Sequence, residues 1–248
     1  MNQKIMMMVE NLRQTKEILD RIGVNYWLEG GTLLGAVRDG KIIEWDKDVD
    51  LATWYHNAKR IISTFPEFKN RGFDIILKSP PTIVFITKLG FRIDISFFRE
   101  KDDYAWKIVI VREKGIKRIL CQYLSILAHS SVRTYEERKG KFIRKSLIHL
   151  SPLLPSTLKQ FSANMGSLLD RHALYHSDSC IIPKVVPKHY FERLSTIQFY
   201  GMKFNIPTDV EKYLEFRYGS NWKIPTKRWV YYRDDGAINL NWSMDTNV

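Results

Sequence analysis

Trp27-Leu28-Glu29-Gly30-Gly31-Thr32-Leu33-Leu34-Gly35-Ala36-Val37-Arg38-Asp39-Gly40 is followed closely by Glu44-Trp45-Asp46-Lys47-Asp48-Val49-Asp50-Leu51. In an extended strand successive side chains point to opposite faces, so Asp48 and Asp50 project together while Val49 and Leu51 turn the other way. Paired carboxylate oxygens are hard ligands suited to Mg²⁺, an ion that binds through one or two carboxylates together with substrate phosphates. Gly30-Gly31-Thr32 follows the apolar stretch Val24 to Leu28 and opens a short helix, a place where backbone N–H groups approach an anion closely. Arg38 adds a charged clamp for phosphate. Taken alone, Gly-Gly-Thr is an ordinary turn and the aspartate pair a solvated strand face. Their coupling, with apolar neighbours on both sides, favours a phosphate- and metal-binding site.

A third carboxylate lies in Phe91-Arg92-Ile93-Asp94-Ile95-Ser96-Phe97-Phe98. Phe91, Ile93, Ile95 and Phe97 fall on one face, Arg92, Asp94 and Ser96 on the other. If this strand lies beside the one carrying Asp48 and Asp50, at the sheet spacing of about 4.8 Å, the three carboxylates converge. The plainer alternative is that Asp94 pairs with Arg92 or a neighbouring lysine.

Gly-Gly-Thr, an intervening helix, Asp-x-Asp and a later strand aspartate together resemble the nucleotidyltransferase fold, and the run EGGTLLGAVRDGKIIEWDKDVDLA resembles more specifically the LicD/fukutin family of phosphotransferases. A second block, FYGMKFNIPTDVEKYLEFRYGSNWKIP from Phe199 to Pro225, resembles the family's C-terminal element. The chain departs from the family pattern at Asp39, where histidine is common, and at Lys47, where an acidic residue is frequent.

The resemblance implies an α/β (α+β) fold, a nucleotidyltransferase-like mixed β-sheet flanked by helices, with a mostly helical C-terminal region. It implies transfer of phosphocholine, ribitol phosphate, glycerol phosphate or a similar group from a CDP-activated donor to a hydroxyl of a cell-surface glycan or its lipid-linked precursor, with release of CMP. In that chemistry Asp48, Asp50 and Asp94 hold Mg²⁺ or Mn²⁺, and Gly30, Gly31, Thr32 and Arg38 position the donor phosphates. Asp94 also accepts the proton of the attacking hydroxyl. Asp46 shares the parity of Asp48 and Asp50 and ranks behind them as a loop or supporting residue. Two other readings stay open: NMP transfer from an NTP to a small molecule or RNA end, and a non-catalytic glycan-assembly factor.

The remaining sequence sets limits. The chain has 248 residues, 44% of them hydrophobic, enough for one large domain or a core with a helical appendage. Two cysteines do not make a disulfide framework, the N-terminus lacks a signal-like apolar run, and no stretch approaches the roughly 18 apolar residues of a membrane span. These features predict a reducing cytoplasm. Met8, Leu12, Leu19 and Ile22 predict an amphipathic helix ended by Gly23. Tyr55 to Phe65 predict a helix ended by Pro66. Phe73–Leu77, Thr82–Lys88, Phe91–Phe98 and Ala105–Val111 predict strands with hairpin turns. A boundary near Arg112 divides a catalytic core, 1–112, from a helical, basic region with a C-terminal aromatic element, 113–248.

The net charge of +12 calls for an anionic partner. Residues Arg112 to Lys145 hold ten lysines and arginines against three glutamates, interleaved with Phe142, Ile143, Leu147 and Ile148 in the neighbouring run. Such a stretch suits peripheral association with the inner face of an anionic membrane, or else a solvated helix face. Nucleic acid is disfavoured: Lys223 to Tyr232 mixes cations with aromatics, but no recognised binding motif accompanies them. His172, His176 and Cys180 share a spacing of four and a capacity for zinc, yet lack a fourth ligand. In the aromatic element, Tyr213, Leu214, Phe216 and Tyr218 pack a helix capped by Thr208 or Asp209 and ended by Gly219.

Overall fold

A computed structural model describes residues 3–77, 83–112, 155, 157 and 179–242. The chain divides into two units, Met1–Val109 with Ile182–Val248, and Ile110–Ile181. The first holds all of the candidate site. Most of the second, including the basic stretch that begins at 113, lies outside the described residues.

The elements run α1 (Gln3–Arg21), β1 (Tyr26–Leu28), α2 (Gly30–Arg38), β2 (Asp48–Trp54), α3 (Ala58–Ser63), α4 (Phe65–Asn70), β3 (Asp74–Leu77), β4 (Ile83–Lys88), β5 (Phe91–Lys101), β6 (Tyr104–Arg112), β7 (Ser179–Pro187), α5 (His189–Glu192), β8 (Ser195–Phe199), β9 (Met202–Ile206) and α6 (Val210–Tyr218). The mixed sheet has the order β3-β4-β5-β2-β1-β9-β8, with β6 joining β5 and β7. β2 runs parallel to β5 and antiparallel to β1, and β1 runs parallel to β9. The fold is mixed α/β, as the alternation of patterns predicts.

Helix α1 forms because Met8, Leu12, Ile18 and Leu19 recur on one face and are buried against the sheet, and Gly23 closes it with a positive φ of 62°. Val49 and Leu51 of β2, and Ile93, Ile95 and Phe97 of β5, are fully or almost fully buried, as expected. The opposite face of β5 is not solvated, however. Asp94, Ser96 and Phe98 are buried too, because β5 is a central strand covered on both sides.

Three expectations change. Pro66 does not end the helix after Tyr55; it lies in the first turn of a second helix, α4, where a missing N–H costs nothing. The chain after 113 is not uniformly helical, since β7, β8 and β9 are strands and β9 pairs with β1 at Trp27↔Asn205. Its last 67 residues therefore belong to the same unit as the carboxylates (182 to 248). Asp209 occupies the N-cap position of α6 without a side-chain capping bond, and the Thr208 N–H donates to the Tyr190 carbonyl. Gly219 does close α6, at a φ of 84°.

The returning segment is fixed by aromatic packing. Phe191 lies with its ring centroid 4.7 Å from Trp27, 5.4 Å from Phe98 and 5.6 Å from Tyr213, in tilted and edge-on arrangements. Strand β1, immediately before Glu29 and the glycine pair, is thereby clamped from the C-terminal side.

Candidate functional site

Parallel pairing of β2 with β5 sets Asp48 opposite Arg92 and Asp50 opposite Asp94. The same pairing brings two carboxylates from distant sequence to neighbouring positions on one face. The glycine turn is stitched to this strand pair. The Glu29 N–H donates to the Asp50 carbonyl at 3.1 Å, and the Asp50 N–H donates to Thr32 Oγ1 at 2.8 Å. Thr32 is buried, and its hydroxyl anchors β2 by accepting from the Asp50 amide. Gly30 has a φ of 55°, and a Cβ there would come within 2.7 Å of Asp50 Oδ2; a Cβ on Gly31 would collide with Asp46 Oδ2. Both glycines are required because aspartate side chains fill the space a side chain would take.

Burial and neighbouring charge raise the pKa of Asp46, Asp50 and Asp94. Burial and the charges of Asp48, Asp46 and Glu29 push Asp50 up to about 7, against a partial counter-effect from Lys107. Burial and the Asp48 charge push Asp46 up to about 6. Asp94 is raised well above the ordinary range by burial and by Asp50 and Asp48, with Arg92 acting against the rise. Arg92 bridges the cluster: its guanidinium touches Asp48 Oδ2, and its Nε lies 2.6 Å from Asp94 Oδ1. The latter contact lacks hydrogen-bond geometry, leaving buried Asp94 Oδ1 without a donor. The plainer expectation for Asp94, pairing with Arg92, is thus met alongside its convergence with Asp50.

These oxygens form a hard donor set, and the orphaned Asp94 Oδ1 and the mutually repelling carboxylates fit a divalent cation. As they stand, no three His, Cys, Asp or Glu side chains among the described residues are grouped to hold a metal ion.

Beneath the glycine turn lies a chain of buried charges that the sequence does not announce. Glu29, 1% exposed, accepts from Arg217 at 2.6 Å and from the Tyr213 hydroxyl at 2.9 Å, and lies 3.6 Å from Lys107 Nζ. Arg217 donates two further bonds to Asp235, at 2.7 and 2.8 Å, and Asp235 accepts from Lys184 at 2.5 Å. Burial would raise the Glu29 pKa, but Arg217 and Lys107 outweigh it and hold the carboxyl below its ordinary value. Burial and the nearby Arg217 lower Lys184 to about 8, with Asp235 opposing. Glu29 stands directly before Gly30, so this network fixes where the glycine turn begins.

Arg38 is committed elsewhere: it donates to both oxygens of Asp39, at 2.9 and 2.7 Å, and reaches the cluster only through its charge on Asp46. Cys180 lies in strand β7, which removes it from a helix face shared with His172 and His176; those two histidines lie outside the described residues. Among the described residues no helix is long and apolar enough to cross a membrane.

Residues 23–118 match the family model described as LicD/FKTN/FKRP, nucleotidyltransferase domain. The human ribitol-5-phosphate transferase FKTN is 22% identical over 237 residues, which is 94% of this chain and 36% of that protein. The human ribitol 5-phosphate transferase FKRP is 56% identical over 49 residues, 20% of this chain and 10% of that one. The chain therefore spans little more than a third of FKTN's length. Among solved structures, the lincomycin-bound lincosamide antibiotic adenylyltransferase LnuA aligns over 83% of each chain at 11% identity, with a TM-score of 0.38.

Two outcomes follow from the geometry. Replacing Arg217 by methionine keeps the length of the side chain but leaves Glu29 and Asp235 buried without their shared guanidinium; chemical denaturation should show a loss of roughly 3–5 kcal/mol. The second concerns pH. Asp50 has a folded pKa raised from 3.8 to about 7, so its contribution to stability is fully present below about pH 4 and is lost as pH rises through about 7. In metal-free buffer the wild type should therefore lose stability relative to Asp50→Asn across that window, and a constant difference in melting temperature would contradict the crowding of carboxylates.

Proposed function

We propose that this chain, whose residues 23–118 match the LicD/FKTN/FKRP nucleotidyltransferase-domain model, transfers a phosphorylated small group, such as ribitol phosphate, glycerol phosphate or phosphocholine, from a CDP-linked donor to a hydroxyl of a glycan or lipid-linked glycan, releasing CMP. The observation that carries this reading is the in-register pair Asp50 and Asp94, with Asp48 two residues away and the Gly30-Gly31 turn against them. Kinship with ribitol-phosphate transferases supports the reaction class.

Asp48, Asp50 and Asp94 are the residues that would hold Mg²⁺ or Mn²⁺. A bound divalent cation there would neutralise charge on the donor's diphosphate and on departing CMP. The protein's own part is positional. Thr32 and the Glu29 amide hold Asp50 in place through the strand backbone. Glu29, fixed by Arg217 and Tyr213, sets the start of α2, where Gly30 lies against the Asp50 side chain and Gly31 against that of Asp46. Asp94, in register with Asp50 on the neighbouring strand, is the carboxylate that would accept the proton of the attacking hydroxyl. Attack at the phosphorus distal to cytidine makes the nucleotide the leaving group. The positive charge of the stretch from Arg112 to Lys145 would suit an anionic membrane surface and a lipid-linked acceptor.

The test is product analysis by ³¹P NMR with Mn²⁺-free, Mg²⁺-containing buffer and CDP-ribitol, CDP-glycerol or CDP-choline, with and without added glycan. CMP should accumulate with one of these donors, and Asp50→Asn should slow it by on the order of 10²-fold or more. Pyrophosphate release from an NTP, with no turnover of any CDP-linked donor, would move the assignment to nucleotidyl transfer.

A further inference from the structure

Arg92 is placed where a metal-binding cluster has no obvious use for a cation. It sits on the same face of β5 as Asp94, two residues earlier, and opposite Asp48 in the parallel ladder. One guanidinium reaches both carboxylates, touching Asp48 Oδ2 and approaching Asp94 Oδ1 to 2.6 Å. Its other support is apolar: the plane lies over the Phe85 ring of β4, 4.8 Å from the centroid, on the strand that pairs with β5. The side chain is 39% exposed, so it has an open side towards which it can turn.

We propose that Arg92 is a built-in counter-cation of the carboxylate cluster, which a divalent metal ion must displace from Asp48 and Asp94 in order to bind. The proposal rests on the metal role given above for those carboxylates, and adds that the metal site is self-occluded in the free protein. Three observations converge on it. Asp48 and Asp94 are joined by the guanidinium rather than free to approach a common centre. No three carboxylates among the described residues are grouped to hold a metal as the side chains stand. Asp94 Oδ1 is buried, and the Arg92 Nε beside it is a charge contact made off the hydrogen-bond axis, one that another cation could take over.

Physically, the guanidinium solves a problem that the parallel pairing creates. Asp46, Asp48, Asp50 and Asp94 would repel one another in a half-buried cleft; Lys107 offsets this at Asp50 and Lys4 and Arg38 at Asp46, and Arg92 does so at Asp48 and Asp94. It cannot be discharged at any ordinary pH, so exchange with metal proceeds by rotation of the side chain rather than by loss of a proton. Phe85 gives the planar group a surface to slide on. Once turned outward, its fork geometry matches a phosphate oxygen pair, which places it to meet the donor's diphosphate after the metal has entered.

Isothermal titration of the metal-free full chain with Mn²⁺ alone, without nucleotide, tests this. Arg92→Gln should bind Mn²⁺ more tightly than wild type, by roughly five-fold or more if the guanidinium's ion pairs, one to half-buried Asp48 and one to buried Asp94, are what the metal has to break. Metal-free R92Q should also melt below wild type, and saturating Mn²⁺ should close that gap, because the metal then supplies the missing charge. Equal or weaker Mn²⁺ binding by R92Q, or a melting gap that persists in Mn²⁺, would overturn the counter-cation role while leaving the metal site in place. Absence of Mn²⁺ binding to both proteins would overturn the metal assignment itself. Should R92Q fail to fold, a crystal of wild type soaked in Mn²⁺ decides between the two: Arg92 released from Asp48 and Asp94 supports displacement, and Arg92 still bridging them beside bound metal refutes it.

Discussion

Asp50 and Asp94 face one another across the parallel pair β2 and β5, and the surrounding structure answers the electrostatic problem this creates. Burial raises the pKa of both, the Asp48 and Asp46 charges add to the rise at Asp50, and the Asp50 and Asp48 charges add to it at Asp94. Arg92 bridges two of them, Lys107 contributes positive potential at Asp50, and the glycine turn leaves room for the Asp46 and Asp50 side chains. A cluster held in this balance gains most from an added cation, since a metal replaces several unfavourable contacts at once.

The second requirement is rigidity at the glycine turn. Glu29 is buried at its base, and a buried carboxylate without partners would be prohibitive. Arg217, Tyr213 and Lys107 satisfy it, and Arg217 is in turn held by Asp235, which is held by Lys184. This buried network links β6, β7, α6 and the turn around Asp235 to the start of α2. Such networks are demanding: complete, they fix one geometry; with a member missing, they leave a charge stranded in the interior. The C-terminal segment is thus part of the site's foundation, through Arg217 and Asp235 below the turn and Phe191 against Trp27.

How much of this can be read from the sequence depends on the range of each interaction. Asp48, Asp50 and Asp94 are legible because a strand has a two-residue period, and the side on which each points follows from the apolar partners Val49, Leu51, Ile93 and Ile95. That β5 lies beside β2 is a matter of topology, which periodicity does not give; the family resemblance supplies it. Glu29 stands in the decisive stretch, but its role depends on Tyr213 and Arg217, 184 and 188 residues further on, so nothing local marks it as buried. Arg38 shows a different limit: a cation beside a phosphate-like motif reads as a clamp, and only the structure shows that the adjacent Asp39 holds its guanidinium in the ligand-free chain. Pro66 reads as a stop because proline ends helices, yet the same residue is well placed in a first turn, and only the three-dimensional bend at Thr64 tells the two apart.

The central claim is that Asp48, Asp50 and Asp94 bring a divalent cation to the diphosphate of a CDP-linked donor. Paramagnetic broadening of the donor's ³¹P resonances by Mn²⁺ tests it directly, because the effect requires metal and phosphorus to share one site on the protein. Substoichiometric protein with Mn²⁺ should broaden both phosphorus signals of CDP-ribitol beyond the protein-free control, and Asp50→Asn should abolish the excess. Equal broadening with wild type and with Asp50→Asn would contradict the account, since the metal would then reach the donor without the carboxylates on which the site is built.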